Sequence, residues 1–403
     1  MWAFYFLAAI AIWLGLSSLR GGLRFARHLQ WGLAEEYPEF TPFVTVFVPC
    51  RGIDEGLREN LAGIFAQDYP AFEVIVTSDR ADDPALAVVA EVSQSFERQA
   101  GPLVRVVIAG AATDSGQKVH NLRVATGEAD LKSQAFVFVD TDARPSSGWL
   151  RSLVAPLSDE SIGAATGYRW FVAPGGIASH LRSVWNASIA SALGAQSKKN
   201  FCWGGSTAIR RETFVRLKVA ERWRGTVSDD FTLTRVLHEA SLPISFVPQC
   251  LTPTFESCSF RELIEFTTRQ LKITRAHAAH LWKAVLTGSL LFVLAFFGGV
   301  ALVAARAALG LSVAPPLTLL LVIFMLGAMK SYVRLRAVRL VIGDRGLRAF
   351  TTTLAHLTLW PTASLLFLCN AVAAAISRRI TWRGISYELK SPTETVSLSR
   401  RSG

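Results

Sequence analysis

The sequence predicts an α/β domain with a mostly parallel sheet, flanked by membrane helices on its amino-terminal and carboxyl-terminal sides. Between residues 41 and 258, short apolar strand patterns alternate with helical patterns, which favours right-handed crossovers and parallel strands. Long uncharged stretches precede and follow this region. Hydrophobic residues make up 51% of the 403 residues and charged residues only 18%, a composition typical of chains with membrane segments.

The first uncharged stretch predicts an amino-terminal anchor at residues 1–28. Residues 1–19 carry no charge and are about long enough for a spanning helix, and Arg20, Arg24 and Arg27 follow them. The stretch lacks the basic start and small-residue cleavage site of a secretion signal. Because basic flanks stay in the cytoplasm, we expect an integral protein of a bacterial-type inner or plasma membrane with its α/β domain in the cytosol.

The strand and helix patterns of the α/β domain can be placed along the chain. Helical periodicity and turn residues separate four apolar runs. We expect strands at 43–48, 72–77, 103–108 and 136–139, and helices at 55–67, 84–96 and from Lys118 onward.

The last of these strands runs straight into two acids, Asp140 and Asp142. In open α/β sheets, ligands bind at the carboxyl edge, where this strand ends. If the chain stays extended there, side chains two residues apart point the same way, so both carboxylates face one spot. Two hard oxygen ligands suit Mg²⁺ or Mn²⁺, which in turn holds phosphate oxygens. The alternative is a solvated turn that carries acids.

The net charge of +11 restricts the partners of the chain. A basic chain can bind nucleic acid, but the apolar stretches make an anionic membrane surface the better explanation, so we expect no nucleic-acid partner. Five scattered cysteines without a C-x-x-C pair indicate reduced cytosolic thiols, and neither a disulfide frame nor a zinc site.

The region after residue 258 predicts a second membrane-associated part. Residues 259–283 alternate apolar and basic positions, which is typical of an amphipathic helix in the headgroup layer. Residues 284–377 contain three uncharged stretches, 284–305, 307–329 and 349–377, and a basic loop from Lys330 to Arg348 that we expect in the cytoplasm. Pro361 permits a broken or re-entrant hairpin in the third stretch. Residues 378–403 are expected to form a basic polar tail.

Five motifs in a fixed order carry a resemblance to a known family. They are Asp79 with Asp82-Asp83-Pro84, Asp140-Thr141-Asp142, Trp203-Gly204-Gly205-Ser206, Ser228-Asp229-Asp230 and Arg269 to Ile273. This order, over about residues 43–275, resembles the family 2 and family 21 glycosyltransferases of the GT-A fold, a Rossmann-like fold, and most closely the ceramide glucosyltransferase type. The resemblance implies inverting transfer of a sugar, with glucose expected, from a UDP-sugar to a membrane lipid hydroxyl at the cytosolic leaflet. It also implies a divalent cation, Mg²⁺ or Mn²⁺.

The resemblance also assigns roles to the acids of the donor site. Asp79 would meet the uridine end of the donor, although Asp82 or Asp83 can hold that role instead. The alternative is that all three acids cap the helix that begins at Pro84. Asp140 matches the central acid of the family, and Asp142 would be a supporting metal ligand.

Three further positions complete the implied donor and acceptor sites. Lys118 and Asn121 would contact the donor or its diphosphate; a solvated helix face is the alternative. Gly205 would let the backbone approach the acceptor or phosphate, unless it serves an ordinary turn.

The resemblance assigns the general base to Asp230. Inverting transfer needs a carboxylate to take the proton of the acceptor hydroxyl. Asp229 and Asp230 would point to opposite sides of an extended segment, so only one can serve, and the family pattern favours the second. An N-capping pair for the following helix is the alternative.

The last motif departs from the family pattern, which is Gln or Arg, two residues, then Arg-Trp. Here the corresponding residues are Arg269, Lys272 and Ile273. Arg269 and Lys272 share a helix face and can neutralise a leaving diphosphate, although Lys lacks the bidentate grip of Arg. Membrane-surface adhesion is the alternative role of this helix. Isoleucine cannot stack on a sugar, which argues against a polysaccharide acceptor. Two rival functions stay open: a processive polysaccharide synthase, and an inactive membrane protein that only binds nucleotide sugars.

Overall fold

The computed structural model describes residues 1–35, 37–97, 101–343, 346–347 and 349–400. It contains two compact units. The membrane-helix unit comprises residues 1–30, 171–192 and 256–377, and the sheet unit comprises residues 31–170, 193–255 and 378–403. Arg345 and Arg348 of the predicted basic loop, and residues 401–403 of the predicted tail, lie outside the described residues.

Helices occur in both units of the described chain. In chain order they are α1 (Trp2–Gly32), α2 (Leu57–Phe65), α3 (Pro84–Glu97), α4 (Gln117–Gly127), α5 (Trp149–Val154), α6 (Ile177–Ala190), α7 (Arg211–Arg216), α8 (Val219–Arg222), α9 (Asp229–Glu239), α10 (Phe260–His277), α11 (Ala279–Ala308), α12 (Ala314–Ile342), α13 (Phe350–Thr358) and α14 (Trp360–Ile376).

The strands form a seven-stranded and a three-stranded sheet. They are β1 (Val44–Pro49), β2 (Phe72–Ser78), β3 (Leu103–Ile108), β4 (Ala135–Phe138), β5 (Ala164–Phe171), β6 (Thr207–Arg210), β7 (Ile244–Thr254), β8 (Arg379–Trp382), β9 (Ile385–Ser391) and β10 (Glu394–Arg400). The larger sheet has the order β3-β2-β1-β4-β6-β5-β7 and the smaller one β10-β9-β8. Strands β1 to β4 pair in parallel, whereas β6 is antiparallel to both β4 and β5. The predicted α/β class with a mostly parallel sheet is therefore confirmed.

The burial of each strand follows from its position in the larger sheet. Strands β2 and β4 are buried along their whole length; β4 is entirely apolar, and β2 is apolar except for Glu73, Thr77 and Ser78. Strand β3 lies at the edge of the sheet and is mostly exposed or half-buried. The carboxyl ends of β1, β2 and β4 lie at one edge of the sheet because these three strands are parallel neighbours.

An aromatic cluster fixes β4 just before its acidic exit. The ring of Phe47 on β1 contacts Phe136 edge-on, with centroids 5.2 Å apart, and stacks on Phe138 at 5.4 Å. Phe214 and Trp223 pack on the same rings. All five rings are buried, and aromatic pairs of this kind contribute about 0.5–1.5 kcal/mol each beyond their buried area. The strand end that precedes Asp140 therefore has a rigid support.

Among the residues that the structure describes, the membrane-helix unit contains three helices that are long and apolar enough to cross a membrane: α1, α11 and α12. A fourth candidate is the pair α13 and α14, which is bent by 58° and represents either a broken span or a re-entrant loop. Large apolar side chains of α1 point away from the protein; Trp2 is 86% exposed and Trp13 66% exposed. Such exposure is expected where a helix faces lipid.

Several predicted boundaries in this unit differ from the structure. Helix α10 ends at His277 and α11 begins at Ala279, so the interfacial helix is shorter than the predicted 259–283. Helix α12 continues through Lys330 to Ile342 because cationic side chains do not end a helix, and its 29 residues span about 43 Å against about 30 Å of hydrocarbon. The third stretch breaks at Leu359; α14 begins at Trp360, and Pro361 lies in its first turn.

The predicted polar tail is a second difference, since residues 379–400 form the three-stranded sheet of β8, β9 and β10. Polar residues interrupt the apolar alternation that would predict strands in this segment. Only Ile380, Ile385, Tyr387 and Leu389 are buried apolar residues of β8 and β9, spaced along otherwise polar strands. These strands belong to the sheet unit.

Candidate active site

The acidic exit of β4 is a tight turn and not the extended segment that the sequence suggested. The amide of Ala143 donates to the carbonyl of Asp140 across 3.1 Å, which closes the turn. Asp140 and Asp142 nevertheless face one common partner, the guanidinium of Arg169. Its Nη1 lies 2.8 Å from Asp142 Oδ2, and its Nη2 lies 3.8 Å from Asp140 Oδ2. The predicted convergence of the two carboxylates is therefore present.

Arg169 is a largely buried cation that was not predicted from the sequence. It lies in β5, and its guanidinium packs over the ring of Trp203, 4.9 Å from the centroid. The side chain is only 14% exposed. An arginine inside the apolar strand Tyr168 to Phe171 is the signal that could have found it, since a buried guanidinium requires a carboxylate partner.

Lys118 joins the β4 acids to the acids of α9. It lies in the first turn of α4, and its Nζ is 2.7 Å from Asp140 Oδ1 and 3.3 Å from Asp229 Oδ1. Burial opposes the charge of Lys118, but Asp140 and Asp229 outweigh burial and raise the pKa of the ammonium above its usual value. Burial likewise opposes the charge of Asp140, and Lys118 and Arg169 together lower the pKa of that carboxyl. Asp140 is therefore a carboxylate at neutral pH.

Asp142 has the opposite electrostatic balance. Burial raises the pKa of Asp142 more than Arg169 lowers it, and the neighbouring Asp140 and Asp54 raise it further. Its Oδ1 is buried without a hydrogen-bond partner among the residues that the structure describes. A buried carboxylate oxygen in this condition requires an additional partner, and a bound cation is the natural one.

Asp229 and Asp230 open helix α9 and serve different purposes. Asp229 is buried and pairs with Lys118, and burial raises its pKa to about 6, with Asp230 and Asp140 adding to the effect of burial. Asp230 is half-buried, and its Oδ1 accepts hydrogen bonds from the Ser228 hydroxyl and from the Phe231 amide at 2.7 Å. Ser228, and not the acid pair, is the N-cap residue of the helix. The two carboxylates thus diverge, with only Asp230 accessible.

Two glycines allow the backbone to approach this cluster. A Cβ atom on Gly204 would overlap the Asp229 carboxylate and lie 2.8 Å from Lys118 Nζ. A Cβ atom on Gly205 would overlap the ring of Trp203, and the guanidinium of Arg169 packs over this ring. The Gly204-Gly205 pair is therefore required by close packing against the charged cluster, and its predicted approach to a ligand stays a prediction.

The acids after β2 fall into two roles. Asp79 is buried and pairs with Arg51 and with Arg400, whose Nη1 lies 3.3 Å from Asp79 Oδ2. Asp83 accepts hydrogen bonds from the amides of Gly52 at 3.0 Å and Ala85 at 2.9 Å. Asp83 therefore caps α3 and fixes the loop after β1, which is the structural alternative that the sequence left open.

Asn121 lies outside the charged cluster and acts through a neighbour. Its Oδ1 accepts a hydrogen bond from Gln117 Nε2 at 2.7 Å, and it is buried. Gln117 in turn accepts from Arg400, the partner of Asp79. Asn121 thus supports the Asp79 end of the site, and its predicted contact with a donor stays a prediction.

Arg269 and Lys272 lie on α10, in the membrane-helix unit. The guanidinium of Arg269 packs over the ring of Phe266, 5.5 Å from the centroid. The diphosphate role of both residues stays a prediction from the resemblance.

The residues after β4 fit a divalent cation. Asp140 and Asp142 offer hard carboxylate oxygens from one turn, and the buried Oδ1 of Asp142 requires a partner. Among the described residues, no group of three or more His, Cys, Asp or Glu side chains is placed to hold a metal ion. Two carboxylates are enough for Mg²⁺ or Mn²⁺ when substrate phosphates and water supply the other oxygens.

The complete arrangement is a series in which carboxylates and cationic side chains alternate at one edge of the sheet. Asp142, Arg169, Asp140, Lys118 and Asp229 follow one another at ion-pair distance. Cations next to carboxylates suit a ligand that carries both phosphate oxygens and a metal ion. The accessible carboxylate of Asp230 beside this series could accept a proton.

Comparison with known proteins gives a family match over most of the chain. The family model described as "Glycosyl transferase family 21" matches residues 3–395. Two solved structures are similar to this chain at 20% sequence identity or less. One is the mannosyltransferase PcManGT from Pyrobaculum calidifontis, in complex with GDP-Man and Mn²⁺, at 20% identity over 92% of this chain and 98% of that one, with a TM-score of 0.49. The other is glucosyl-3-phosphoglycerate synthase from Mycobacterium tuberculosis with Mn²⁺ and UDP-glucose, at 15% identity over 63% and 83%, with a TM-score of 0.38.

Proposed function

Because the chain belongs to glycosyl transferase family 21, we propose that it transfers a sugar, with glucose expected, from a UDP-sugar to a membrane lipid hydroxyl with inversion at the anomeric carbon. The acceptor would be ceramide or a similar lipid at the cytosolic leaflet. The observation that carries the proposal is the ion-paired series of Asp140, Lys118 and Asp229, with the accessible Asp230 beside it.

The donor would bind at the carboxyl edge of the sheet, in the GT-A manner that the resemblance implies. Asp79 would receive the uridine end, which requires Arg400 to release or share that carboxylate. Asp140 and Asp142 would hold Mg²⁺ or Mn²⁺, and such an ion supplies charge neutralisation for the diphosphate oxygens when bound. Lys118 remains protonated because its two acid partners raise its pKa, so it can also face a phosphate oxygen.

Asp230 would act as the general base. The acceptor hydroxyl oxygen attacks the anomeric carbon, the bond from that carbon to the diphosphate oxygen breaks, and the hydroxyl proton passes to the Asp230 carboxylate. UDP leaves with the bonding electron pair. The Ser228 hydroxyl and the Phe231 amide hold one oxygen of Asp230, which orients the carboxylate. Asp229 cannot replace it, because Asp229 is buried and paired with Lys118.

A lipid acceptor is supported by the composition of the rest of the chain. Three to four candidate membrane spans surround the sheet unit in the sequence, and the basic amphipathic helix α10 begins only six residues after β7 ends. These segments would hold the enzyme at a bilayer, where a lipid acceptor is within reach. Ile273 at the position of the family tryptophan argues further against a sugar-polymer acceptor.

The experiment that tests the proposal uses full-length protein in membranes, a panel of radiolabelled UDP-sugars, Mn²⁺ and a lipid extract. We expect label from one UDP-sugar to partition into organic solvent, with the product identified by mass. Label in an ethanol-insoluble polymer would indicate a polysaccharide synthase. Binding of UDP-sugar without release of UDP would indicate an inactive sugar-nucleotide-binding protein.

A further inference from the structure

The carboxyl-terminal sheet of β8, β9 and β10 lies in the same compact unit as the candidate active site. It contacts the site at several points. The hydroxyl of Tyr387 accepts a hydrogen bond from the amide of Gln117 at 3.1 Å, at the start of the helix that carries Lys118. The segment between β9 and β10 reaches Gly225, where a Cβ atom would overlap the carbonyl oxygen of Thr393. The sheet is therefore docked against loops that carry site residues.

A tight hairpin turn presents Arg383 at one end of this sheet. Strands β8 and β9 pair up to Trp382 and Ile385, which leaves Arg383 and Gly384 as the two loop residues. Both have positive φ values, 50° and 75°. Two-residue hairpin loops with two positive φ values are type I′ turns, which usually contain Asn-Gly. An arginine in this strained position indicates a requirement for its side chain.

Arg383 reaches the acidic turn after β4 through one bridging carboxylate. Its Nη2 pairs with Asp54 Oδ1, and the other oxygen of Asp54 accepts a hydrogen bond from the Thr141 hydroxyl at 2.8 Å. Thr141 lies between Asp140 and Asp142, the proposed metal ligands. A cation from the far end of the chain therefore stands beside the proposed diphosphate position.

Arg383 differs in this from Arg379 of the same hairpin. Arg379 pairs with Glu388 within the small sheet, across 3.9 Å, and 70% of its side chain is exposed. The side chain of Arg383 is 41% exposed, and its partner Asp54 is only 10% exposed. A guanidinium has five N–H donors in a planar fork, so an arginine that pairs with a carboxylate can also donate to phosphate oxygens.

We propose that Arg383 binds the diphosphate of the nucleotide-sugar donor and neutralises the charge on the leaving nucleoside diphosphate. The inference rests on the proposed function and adds a residue to it. The carboxyl-terminal sheet then supplies a guanidinium from within the sheet unit to the proposed diphosphate position. The bond from the anomeric carbon to the diphosphate oxygen breaks as proposed above, and Arg383 faces the oxygens that gain negative charge.

The test compares binding of UDP, UMP and uridine to full-length protein in nanodiscs by calorimetry, with Mn²⁺ present. Arg383→Asn removes the charge and suits the type I′ turn, so it should fold. We expect it to weaken UDP binding about ten- to a hundredfold and to change uridine binding less than about twofold. Arg383→Lys should recover part of the UDP affinity. Arg379→Asn is the matched control and should bind UDP like the wild type.

Two results would overturn the inference alone. The first is that the wild type is active and that Arg383→Asn has the same turnover and the same UDP affinity. The other is equal weakening of UDP and uridine binding by Arg383→Asn, which would indicate a structural role. If the wild-type protein binds no UDP and releases none from any UDP-sugar, the proposed function fails, and the inference fails with it.

Discussion

The ammonium of Lys118 lies 2.7 Å from the carboxylate of Asp140 and 3.3 Å from the carboxylate of Asp229, so it connects the two acids. One residue of α4 thus joins the acid that follows β4 to the acid that opens α9. Replacement of one of these three residues would leave a largely buried charge without its partner. The loss in free energy of unfolding would then exceed what the intact ion pair contributes. The stability of the sheet unit and the proposed activity depend on this relationship and on the neighbouring acids Asp230 and Asp142.

Replacement of Lys118 by methionine should destabilise the sheet unit and reduce activity. Asp140 and Asp229 would lose their common cation in a largely buried site, at a cost of about 3–5 kcal/mol in the free energy of unfolding. The double variant Lys118→Met/Asp229→Asn should recover part of this loss, because it removes the charge of Asp229, while Asp140 keeps Arg169 as a partner. Thermal unfolding measures both. Lys132→Met, at an exposed lysine, is the control, and a Lys118→Met protein as stable as this control would contradict the prediction.

Replacement of Asp230 by asparagine should reduce turnover by about a hundred- to ten-thousandfold, because the acceptor hydroxyl would lose its base. Binding of UDP should be unchanged, since Asp230 is not proposed to contact the donor. UDP release under saturating donor, together with calorimetric UDP binding, separates the two effects. Glu239→Gln, at an acid half exposed at the other end of α9, should keep full activity. Normal turnover by Asp230→Asn would transfer the role of base to another residue.

The raised pKa of Asp229 predicts a specific dependence of stability on pH. Burial raises this pKa from 3.8 to about 6, so the folded state resists ionisation of the carboxyl. The stabilising contribution is present below about pH 4 and is lost as the pH rises through about 6, by up to about 3 kcal/mol. Melting temperatures measured without divalent metal should therefore fall from pH 4 to pH 7 more steeply for the wild type than for Asp229→Asn. Parallel curves for the two proteins would show that Asp229 is not the titrating group.

Chelation of divalent metal should abolish sugar transfer, and added Mn²⁺ or Mg²⁺ should restore it. Asp142→Asn should raise the Mn²⁺ concentration needed for half-maximal activity by about tenfold or more, because it removes one carboxylate ligand. Asp68→Asn, at an acid that is 81% exposed, should leave the Mn²⁺ requirement unchanged. Full activity in the presence of EDTA would exclude the proposed role of Asp140 and Asp142 as metal ligands.

Much of the fold followed from the sequence because local patterns dictate it. The buried strand before Asp140 and the apolar stretch from residue 2 have periodicities and compositions that fit one structure each. Strands β8 to β10 did not follow from the sequence, since their few buried residues are separated by polar ones. Their stability comes from docking on Gln117 and Gly225, far away in the chain, and no local pattern reports such contacts.

The acids of the site and Lys118 were easier to predict than its arginines. Asp79, Asp140 and Asp230 follow strands or open helices in motifs of recognisable order. Arg169 and Arg383 carry no motif, because an arginine is defined by the partner that it meets in the folded protein. The spacing of Asp140 and Asp142 predicted their convergence correctly, although a turn and a shared guanidinium produce it and an extended backbone does not.

The most direct test of the proposed activity is UDP release by purified full-length protein supplied with UDP-sugar, Mn²⁺ and lipid extract, for the wild type and for Asp230→Asn. We predict release by the wild type that depends on the lipid, and near-complete loss in the Asp230→Asn variant with its fold and UDP binding intact. Equal release by both proteins, or none by the wild type with any UDP-sugar, would contradict it.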